Sequence, residues 1–207
     1  MHFLITSGGT REYIDTVRFI SNSSSGRMGC ALTRAALRSG HKVTLIAAAM
    51  TAKSPAGVNL IRVENASEMF EAVKCNFDKC DCLIMAAAVS DYTPALCAKA
   101  KMKKQNKELV IQLNPTRDIL KWSGSNKKKG QVVIGFALED KDIKANAERK
   151  LREKKLDMIV ANKPSAIDSA RSTVYIKKAG GDWIELSEKS KTVTAKKIIA
   201  MAQAFKA

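Results

Sequence analysis

The chain has 207 residues, 45% of them hydrophobic, which is enough for one domain with a sizeable core. No apolar run approaches the roughly 18 residues of a membrane span, and the first residues do not resemble a secretory signal peptide. We therefore expect a cytoplasmic protein with no membrane partner, and the odd count of five cysteines favours reduced thiols. The net charge of +16 favours anionic ligands, although lysines spread along the whole chain are also typical of a solvated surface.

Apolar runs alternate along the chain with amphipathic segments. Period-3.6 stripes such as Met28, Ala31, Leu32 and Ala35 indicate helices. The alternation predicts an α/β fold, a Rossmann-like, doubly wound and mostly parallel sheet with helices on both faces. A turn at 180–182 predicts a small antiparallel C-terminal addition. The predicted strands are 3–6, 43–48, 82–87, 109–113, 132–136, 158–161, 173–176 and 183–186, and the predicted helices are 26–39, 66–76, 116–123, 141–155 and 192–206.

The first thirty residues carry the strongest functional pattern. A strand ends in Gly8-Gly9, and a second polar loop, Ser23-Ser24-Ser25-Gly26, leads into a helix. Glycine lets the backbone approach a ligand closely, and hydroxyl groups and helix N-terminal N–H groups bind oxyanions. The pattern predicts a site for a phosphate-bearing ligand.

Common nucleotide motifs do not fit this layout. A dinucleotide site runs from strand through glycine loop to helix without a break, whereas about fifteen residues separate Gly9 from the helix predicted at Gly26. The second strand ends without an acidic residue for a ribose, and no tyrosine has lysine four positions on. Gly29 is followed by Cys30 rather than by the Lys-Ser or Lys-Thr of a P-loop. An NAD(P)-binding oxidoreductase is thus a weaker alternative.

A second alternative is a nucleic-acid binder driven by charge. It is disfavoured by an aromatic content of 5% and by the lack of a recognisable binding module. We therefore expect no nucleic-acid partner. The polar motifs at 6–11, 88–92 and 136–139 each follow a predicted strand, and in open α/β sheets ligands bind beyond the carboxyl ends of strands. These motifs are expected to form one site.

Six segments, in order, resemble the phosphopantothenate–cysteine ligase family of coenzyme A biosynthesis. They are Thr6-Ser-Gly-Gly-Thr-Arg-Glu, Ile20-Ser-Asn-Ser-Ser-Ser-Gly-Arg-Met-Gly, Ala86-Ala-Ala-Val-Ser-Asp-Tyr, Lys101-Met-Lys-Lys, Gly135-Phe-Ala-Leu-Glu and Leu156-Asp-Met-Ile-Val-Ala-Asn.

The resemblance implies a two-step reaction. The carboxylate of 4′-phosphopantothenate attacks the α-phosphate of a nucleoside triphosphate, giving an acyl-nucleotide and pyrophosphate. The amine of cysteine then displaces the nucleotide monophosphate. CTP is favoured over ATP, with Mg²⁺ on the phosphates.

The resemblance also implies partners. It implies a homodimer, and a phosphopantothenoylcysteine decarboxylase that is fused or separate. This chain is then either a monofunctional ligase or the ligase half of a longer protein. We expect a single domain over residues 1–207, with a Lys-rich flap at about 93–107, a mobile loop or β-arm that reaches across the dimer.

Residue roles follow by resemblance. Asn22 is implied to hold the acyl-nucleotide and Lys101 to neutralise triphosphate charge, and these two are the expected catalytic residues. The expected substrate-binding residues are Gly8, Gly9, Thr10, Arg18, Asn22, Ser23, Ser24, Ser25, Gly26 and Ala87.

A second set of residues is implied to bind the nucleotide, and Asp91 is in addition the candidate Mg²⁺ ligand. The set is Met85, Ala86, Ala87, Asp91, Lys101, Thr116, Arg117, Asp118, Ile119, Phe136, Lys150 and Lys154.

Simpler interpretations remain open at this stage. Asn22 can instead cap the following helix, Asp91 can cap a turn, and the lysines of the flap can be a solvated charge run. Family members often show Asn-Pro-Asp-Ile, whereas this chain has two more residues between Pro115 and Asp118. The register at 114–120, and with it the choice between CTP and ATP, is open.

Overall fold

The computed structural model describes residues 1–104, 106–167 and 169–206. In chain order its helices and strands are β1 His2–Ser7, β2 Arg11–Tyr13, β3 Phe19–Ser21, α1 Arg27–Arg38, β4 Lys42–Ala47, β5 Asn59–Arg62, α2 Ala66–Phe77, β6 Cys82–Met85, β7 Tyr92–Pro94, β8 Leu113–Pro115, α3 Ile119–Asn126, β9 Val132–Leu138, α4 Ile143–Glu153, β10 Met158–Asn162, β11 Arg171–Lys178, β12 Trp183–Ser190 and α5 Lys191–Gln203.

Eight of the strands form one sheet in the order β12-β11-β10-β9-β6-β1-β4-β5. The six strands from β10 to β5 are parallel, and β11 and β12 add antiparallel to β10. This confirms the predicted Rossmann-like fold class with its antiparallel C-terminal addition. Within the described residues, no helix has the length and apolarity needed to cross a membrane.

Helices cover both faces of the sheet, because its central strands are apolar on both sides. On one face, α1 and α5 pack through side chains such as Leu32 and Ile198. On the other face, α2, α3 and α4 pack through side chains such as Phe70, Ile119 and Leu151. The two hydrophobic cores hold the strands rigidly, so the loops at the sheet edge have a fixed base.

The strand order reverses at β1, which lies between β4 on one side and β6 on the other. Such a reversal opens a crevice between the loops that leave the carboxyl ends of the two strands. The loop after β1 begins at Gly8, and the loop after β6 begins at Ala86. The fold therefore positions a ligand crevice between these two segments.

Two small antiparallel pairs lie outside the main sheet. β2 and β3 form a hairpin, and β7 pairs with β8. We call β7, β8 and the segment that joins them the Lys-rich arm. The predicted flap at 93–107 falls within this range, and its residue 105 lies outside the described residues. The predicted strand at 109–113 is wrong, since only Leu113 of that run lies in a strand. Leu109 and Val110 are exposed and have no neighbouring strand to cover them.

Candidate active site

The loops at the carboxyl edge are joined by main-chain hydrogen bonds. The amide of Ala88 donates to the carbonyl of Gly8 at 2.8 Å, and the amide of Thr10 donates to the carbonyl of Ala88 at 3.2 Å. The amide of Gly9 donates to the carbonyl of Ala49 after β4 at 2.9 Å. The crevice walls are therefore one connected backbone surface, which suits a site that must hold its geometry.

Two glycines make this close packing sterically allowed. A Cβ on Gly8, whose φ is +84°, would lie 2.6 Å from the carbonyl oxygen of Ala49. A Cβ on Gly9 would lie 2.6 Å from the carbonyl oxygen of Asn22. The Gly-Gly pair thus lets the loop after β1 touch both neighbouring loops.

Asn22 follows β3 and is turned toward the loop after β6. Its Nδ2 donates to the carbonyl of Val89 at 3.1 Å, and Ser21 Oγ donates to the carbonyl of Thr10 at 2.7 Å. The N-cap of α1 is Gly26, which has a φ of 74° and no side-chain cap. Asn22 therefore does not cap the helix, and its amide contacts the loop after β6 instead.

The Ser23–Gly26 segment leads directly to the N-terminus of α1. Ser7 Oγ at the end of β1 donates to the carbonyl of Gly26 at 3.0 Å. Ser23 is exposed, whereas Ser24 and Ser25 are half-buried. The segment thus holds hydroxyl groups beside a helix N-terminus, an arrangement that can receive an oxyanion.

A cavity of about 220 Å³ lies between β6, β9, α3 and α4. Its wall contains most of the residues that the resemblance implied for nucleotide binding. They are Met85, Ala87, Asp91, Thr116, Arg117, Asp118, Ile119, Phe136, Lys150 and Lys154.

Some predicted residues lie outside the cavity wall, and some wall residues were not predicted. Ala86 and Lys101 do not line it, whereas Val89, Leu120 and Ile159 do. The unpredicted three are ordinary apolar core types, so only their place next to the motif residues could have indicated them.

The register of the 114–120 segment is set by hydrogen bonds to the loop after β6. The amide of Thr116 donates to the carbonyl of Asp91 at 2.9 Å, and its Oγ1 donates to the carbonyl of Ser90 at 2.7 Å. Asp118 is the N-cap of α3 and accepts from the amide of Lys121. Residues 116–118 therefore form a short turn between β8 and α3 that faces the cavity.

Charged groups at the cavity are arranged in pairs. Lys150 Nζ lies 2.6 Å from Glu139 Oε1, and Lys154 Nζ lies 2.8 Å from Asp118 Oδ2. Arg117 contacts Glu71 at 3.0 Å. These three cations of the cavity wall are thus each balanced by a carboxylate.

Asp91 is exposed at the cavity wall. Its main-chain oxygen, rather than its carboxylate, holds Thr116. Within the described parts of the chain, no group of three or more His, Cys, Asp or Glu side chains could hold a metal ion by itself. A single carboxylate beside a triphosphate is nevertheless a common Mg²⁺ environment, since the phosphates supply the other oxygens.

Lys101 and Arg18 lie beside the turn of the β2–β3 hairpin. Lys101 is exposed on the arm, next to Met102. Arg18 Nη1 donates to the carbonyl of Met102 at 3.1 Å and pairs with Asp15. In this structure Arg18 therefore connects the hairpin to the arm.

The fold and its carboxyl-edge crevice define a Rossmann-like α/β protein with a site at the strand switch point. A family model described as the DNA/pantothenate metabolism flavoprotein C-terminal domain matches residues 1–205. The chain belongs to this family.

Similar proteins agree with this assignment. The chain is 46% identical over 162 residues to the coenzyme A biosynthesis bifunctional protein CoaBC of Bacillus subtilis strain 168, covering 78% of this chain and 40% of that protein. It is 50% identical over 159 residues to a cysteine/cysteine sulfinic acid decarboxylase of an unknown prokaryotic organism, covering 76% and 44%. The chain thus spans less than half the length of these curated relatives.

A solved structure matches over nearly the whole chain. The crystal structure of the C-terminal domain of CoaBC has a TM-score of 0.86 and 37% identity, covering 99% of this chain and 95% of that one. The family resemblance found in the motifs is therefore confirmed.

Proposed function

We propose that this chain joins 4′-phosphopantothenate to cysteine at the carboxyl edge of its sheet. The observation that carries the proposal is the convergence of the family motifs on one crevice and one cavity, with Asn22 and the Gly8–Gly9 loop on one side and Lys150 and Lys154 on the other. The matched domain of CoaBC supports the same assignment.

The reaction has two steps. In the first, the carboxylate of 4′-phosphopantothenate attacks the α-phosphate of the nucleoside triphosphate, and the P–O bond to pyrophosphate breaks. In the second, the cysteine amine attacks the acyl carbon, the nucleotide monophosphate leaves, and the amine loses a proton. Both steps develop negative charge on oxygen, so fixed donors and cations at the site lower the barriers.

The family resemblance implies roles for the residues, and we propose them here. The cavity holds the nucleotide against Phe136, with Lys150 and Lys154 exchanging their carboxylate partners for phosphate oxygens. Asn22 holds the acyl-nucleotide, because a side-chain amide can both donate to an oxyanion and accept from an amine. Lys101 neutralises the triphosphate in the first step, and its long, exposed side chain on the arm suits a group that reaches phosphate oxygens.

Mg²⁺ fits this site through Asp91, the exposed carboxylate of the cavity wall. When bound, the ion screens the phosphate charges and makes the α-phosphate a better electrophile. Asp91 would hold the ion, and Thr116, which donates to the carbonyls of Ser90 and Asp91, fixes the adjacent wall of the cavity.

The experiment that tests this function is pyrophosphate release from CTP or ATP with 4′-phosphopantothenate and Mg²⁺, with and without cysteine. We expect release with CTP. Release with ATP instead would keep the ligase and change the nucleotide. No release with either nucleotide from folded protein would contradict the proposal. In that case, nucleic-acid affinity that falls steeply with salt would favour the charge-driven binder.

We also propose that the protein acts as a homodimer through the arm. Apolar side chains crowd the arm surface: Leu96 is 87% exposed, Val110 82% and Leu109 67%. Three large apolar side chains left exposed on one arm favour an interaction site there. A second copy of the chain is the occupant that the family resemblance implies.

Sedimentation equilibrium tests the dimer. We expect twice the chain mass of 22.6 kDa for the wild type, and a monomer with reduced pyrophosphate release for Leu96→Asp combined with Val110→Asp. Val193→Asp, at an exposed valine on α5, is the matched control and should stay dimeric. A monomeric wild type at working concentration would contradict the proposal.

The matched relatives are more than twice as long as the matched region, and CoaBC is described as bifunctional. We propose that a phosphopantothenoylcysteine decarboxylase, fused to this chain or separate from it, consumes the product. The five free cysteines suit the reducing cytoplasm, where we place the reaction.

A further inference from the structure

The turn of the β2–β3 hairpin contains a fully buried carboxylate, Asp15. Its Oδ1 accepts from the amides of Val17 and Arg18, both at 2.8 Å. Its Oδ2 accepts from the amide of Met102 at 3.1 Å and also pairs with the guanidinium of Arg18. One oxygen of Asp15 thus holds its own turn, and the other holds the arm.

Two further hydrogen bonds complete the junction. Arg18 Nη1 donates to the carbonyl of Met102 at 3.1 Å, so both main-chain groups of Met102 are bonded to the hairpin. The amide of Ala98 donates to the carbonyl of Ile14 at 2.9 Å. The arm is therefore fixed at two points, Ala98 and Met102, and Lys101 lies between them.

Asp15 is an anion at neutral pH. Burial acts to raise its pKa, but the amides of Arg18, Val17 and Met102, together with the Arg18 side chain, outweigh burial and hold the pKa well below its usual range. When a buried carboxylate loses one of its donors, its desolvation is no longer compensated and the folded protein is strongly destabilised. The hydrogen bonds between hairpin and arm therefore contribute more to stability than a contact on the surface does.

Asn22, the second expected catalytic residue beside Lys101, directly follows this hairpin. β3 runs from the Arg18 turn to Ser21, and Asn22 follows directly. A lysine has a flexible stem, so the position of its Cα decides which atoms its ammonium can reach. The main chain next to Lys101 is hydrogen-bonded to this hairpin. The hairpin therefore fixes the main-chain positions of both Lys101 and Asn22.

We propose that Asp15 is a positioning residue that holds the Lys101 segment of the arm to the hairpin that carries Asn22. This rests on the proposed function only for the role of Lys101 in the first step. The contact itself is measurable without any activity.

Asp15→Asn is the discriminating variant. The asparagine oxygen can still accept from Val17 and Arg18, while its NH₂ group would face the amide of Met102, donor against donor. That NH₂ group would also face the guanidinium of Arg18. The variant therefore keeps the main-chain hydrogen bonds of the turn and loses both the link to the Met102 amide and the ion pair with Arg18. Asp182→Asn, an exposed carboxylate in the turn between β11 and β12, is the matched control and should change nothing.

Two readouts are measured on the full chain. The first is hydrogen exchange of the Met102 amide by NMR, which we expect to be about 10- to 100-fold faster in Asp15→Asn, the range for a lost hydrogen bond to a charged group. The second is activity, split between pyrophosphate release and the use of supplied acyl-nucleotide with cysteine. We expect release to fall about 10-fold or more, and acyl-nucleotide use to stay within about 3-fold.

The possible outcomes separate the hypotheses. Unchanged Met102 exchange overturns the proposal, and so does an equal loss in both half-reactions, which would indicate general damage to the hairpin. A wild type that releases no pyrophosphate means that the proposed function has failed, and the positioning role falls with it. If Asp15→Asn does not fold, Arg18→Met is measured in the same exchange experiment, since methionine lacks the nitrogen that donates to both Asp15 and the carbonyl of Met102.

Discussion

Asn22 and Lys101 differ in how firmly the structure holds them. The Asn22 side chain is hydrogen-bonded to Val89 on the rigid carboxyl edge, whereas Lys101 is exposed on the arm. A fixed amide suits the recognition of an intermediate that must be held until cysteine arrives. A cation on a flexible stem suits a triphosphate, whose charge is spread over many oxygens.

This difference predicts that substitutions at the two positions damage different steps. Asn22→Ala should still release pyrophosphate but use the acyl-nucleotide about 100-fold more slowly, the usual cost of a lost oxyanion donor. Lys101→Gln should fail in the first step by a similar factor, because the glutamine carries no charge. The measurement is single-turnover pyrophosphate release beside conversion of supplied acyl-nucleotide.

Lys129→Gln, at an exposed lysine in the turn after α3, is the control for general loss of positive charge and should behave as the wild type. If Asn22→Ala and Lys101→Gln both kept full activity, the assignment of these two residues would be wrong although the fold would stand.

At the scale of elements, the cavity depends on how closely α3 approaches α4. Gly124 on α3 faces the C-terminal end of α4, where a built Cβ would lie only 1.9 Å from the carbonyl oxygen of Lys154. Lys154 also lines the cavity and pairs with Asp118. The helix contact and the cavity wall therefore share a residue, so a change in packing is transmitted to the site.

Gly124→Ala should destabilise the protein, because the contact leaves no room for a methyl group. We expect the free energy of unfolding to fall by about 1–3 kcal/mol, the usual cost of overpacking, measured by urea denaturation. Nucleotide binding should weaken as well, since α4 must shift. Ser125→Ala, at the exposed next position of the same helix, should change stability by less than about 0.5 kcal/mol. An unchanged urea midpoint for Gly124→Ala would refute this packing argument.

Elements differ in how well the sequence predicts them. The central strands are continuous apolar runs, because both their faces are covered, and their short length and alternation with amphipathic helical segments identify them. The sequence pattern does not predict β2, β3, β5 and β7, since each has only three or four residues, too few to show a period. The polar motif residues around the cavity were predicted, whereas its apolar wall residues, such as Leu120, look like any core residue.

At the scale of the whole molecule, the five cysteines report on the integrity of both cores. Cys75 and Cys97 are exposed, whereas Cys30, Cys80 and Cys82 are buried. Burial raises the pKa of Cys80 to about 11 and that of Cys82 well above its usual value. Since only the thiolate reacts, these thiols are protected both by packing and by protonation.

We therefore expect two of the five thiols to react promptly with a disulfide reagent at pH 8, and the other three only as fast as the protein unfolds. Raising the pH to about 9 should not make Cys80 react, because that pH is still well below the pKa of Cys80. The double variant Cys75→Ser, Cys97→Ser should show no prompt reaction, and all five thiols should react in denaturant. Prompt reaction of a third thiol in the native protein would mean that one of the two cores opens locally, so that the helices on that face are not held as firmly as the packing indicates.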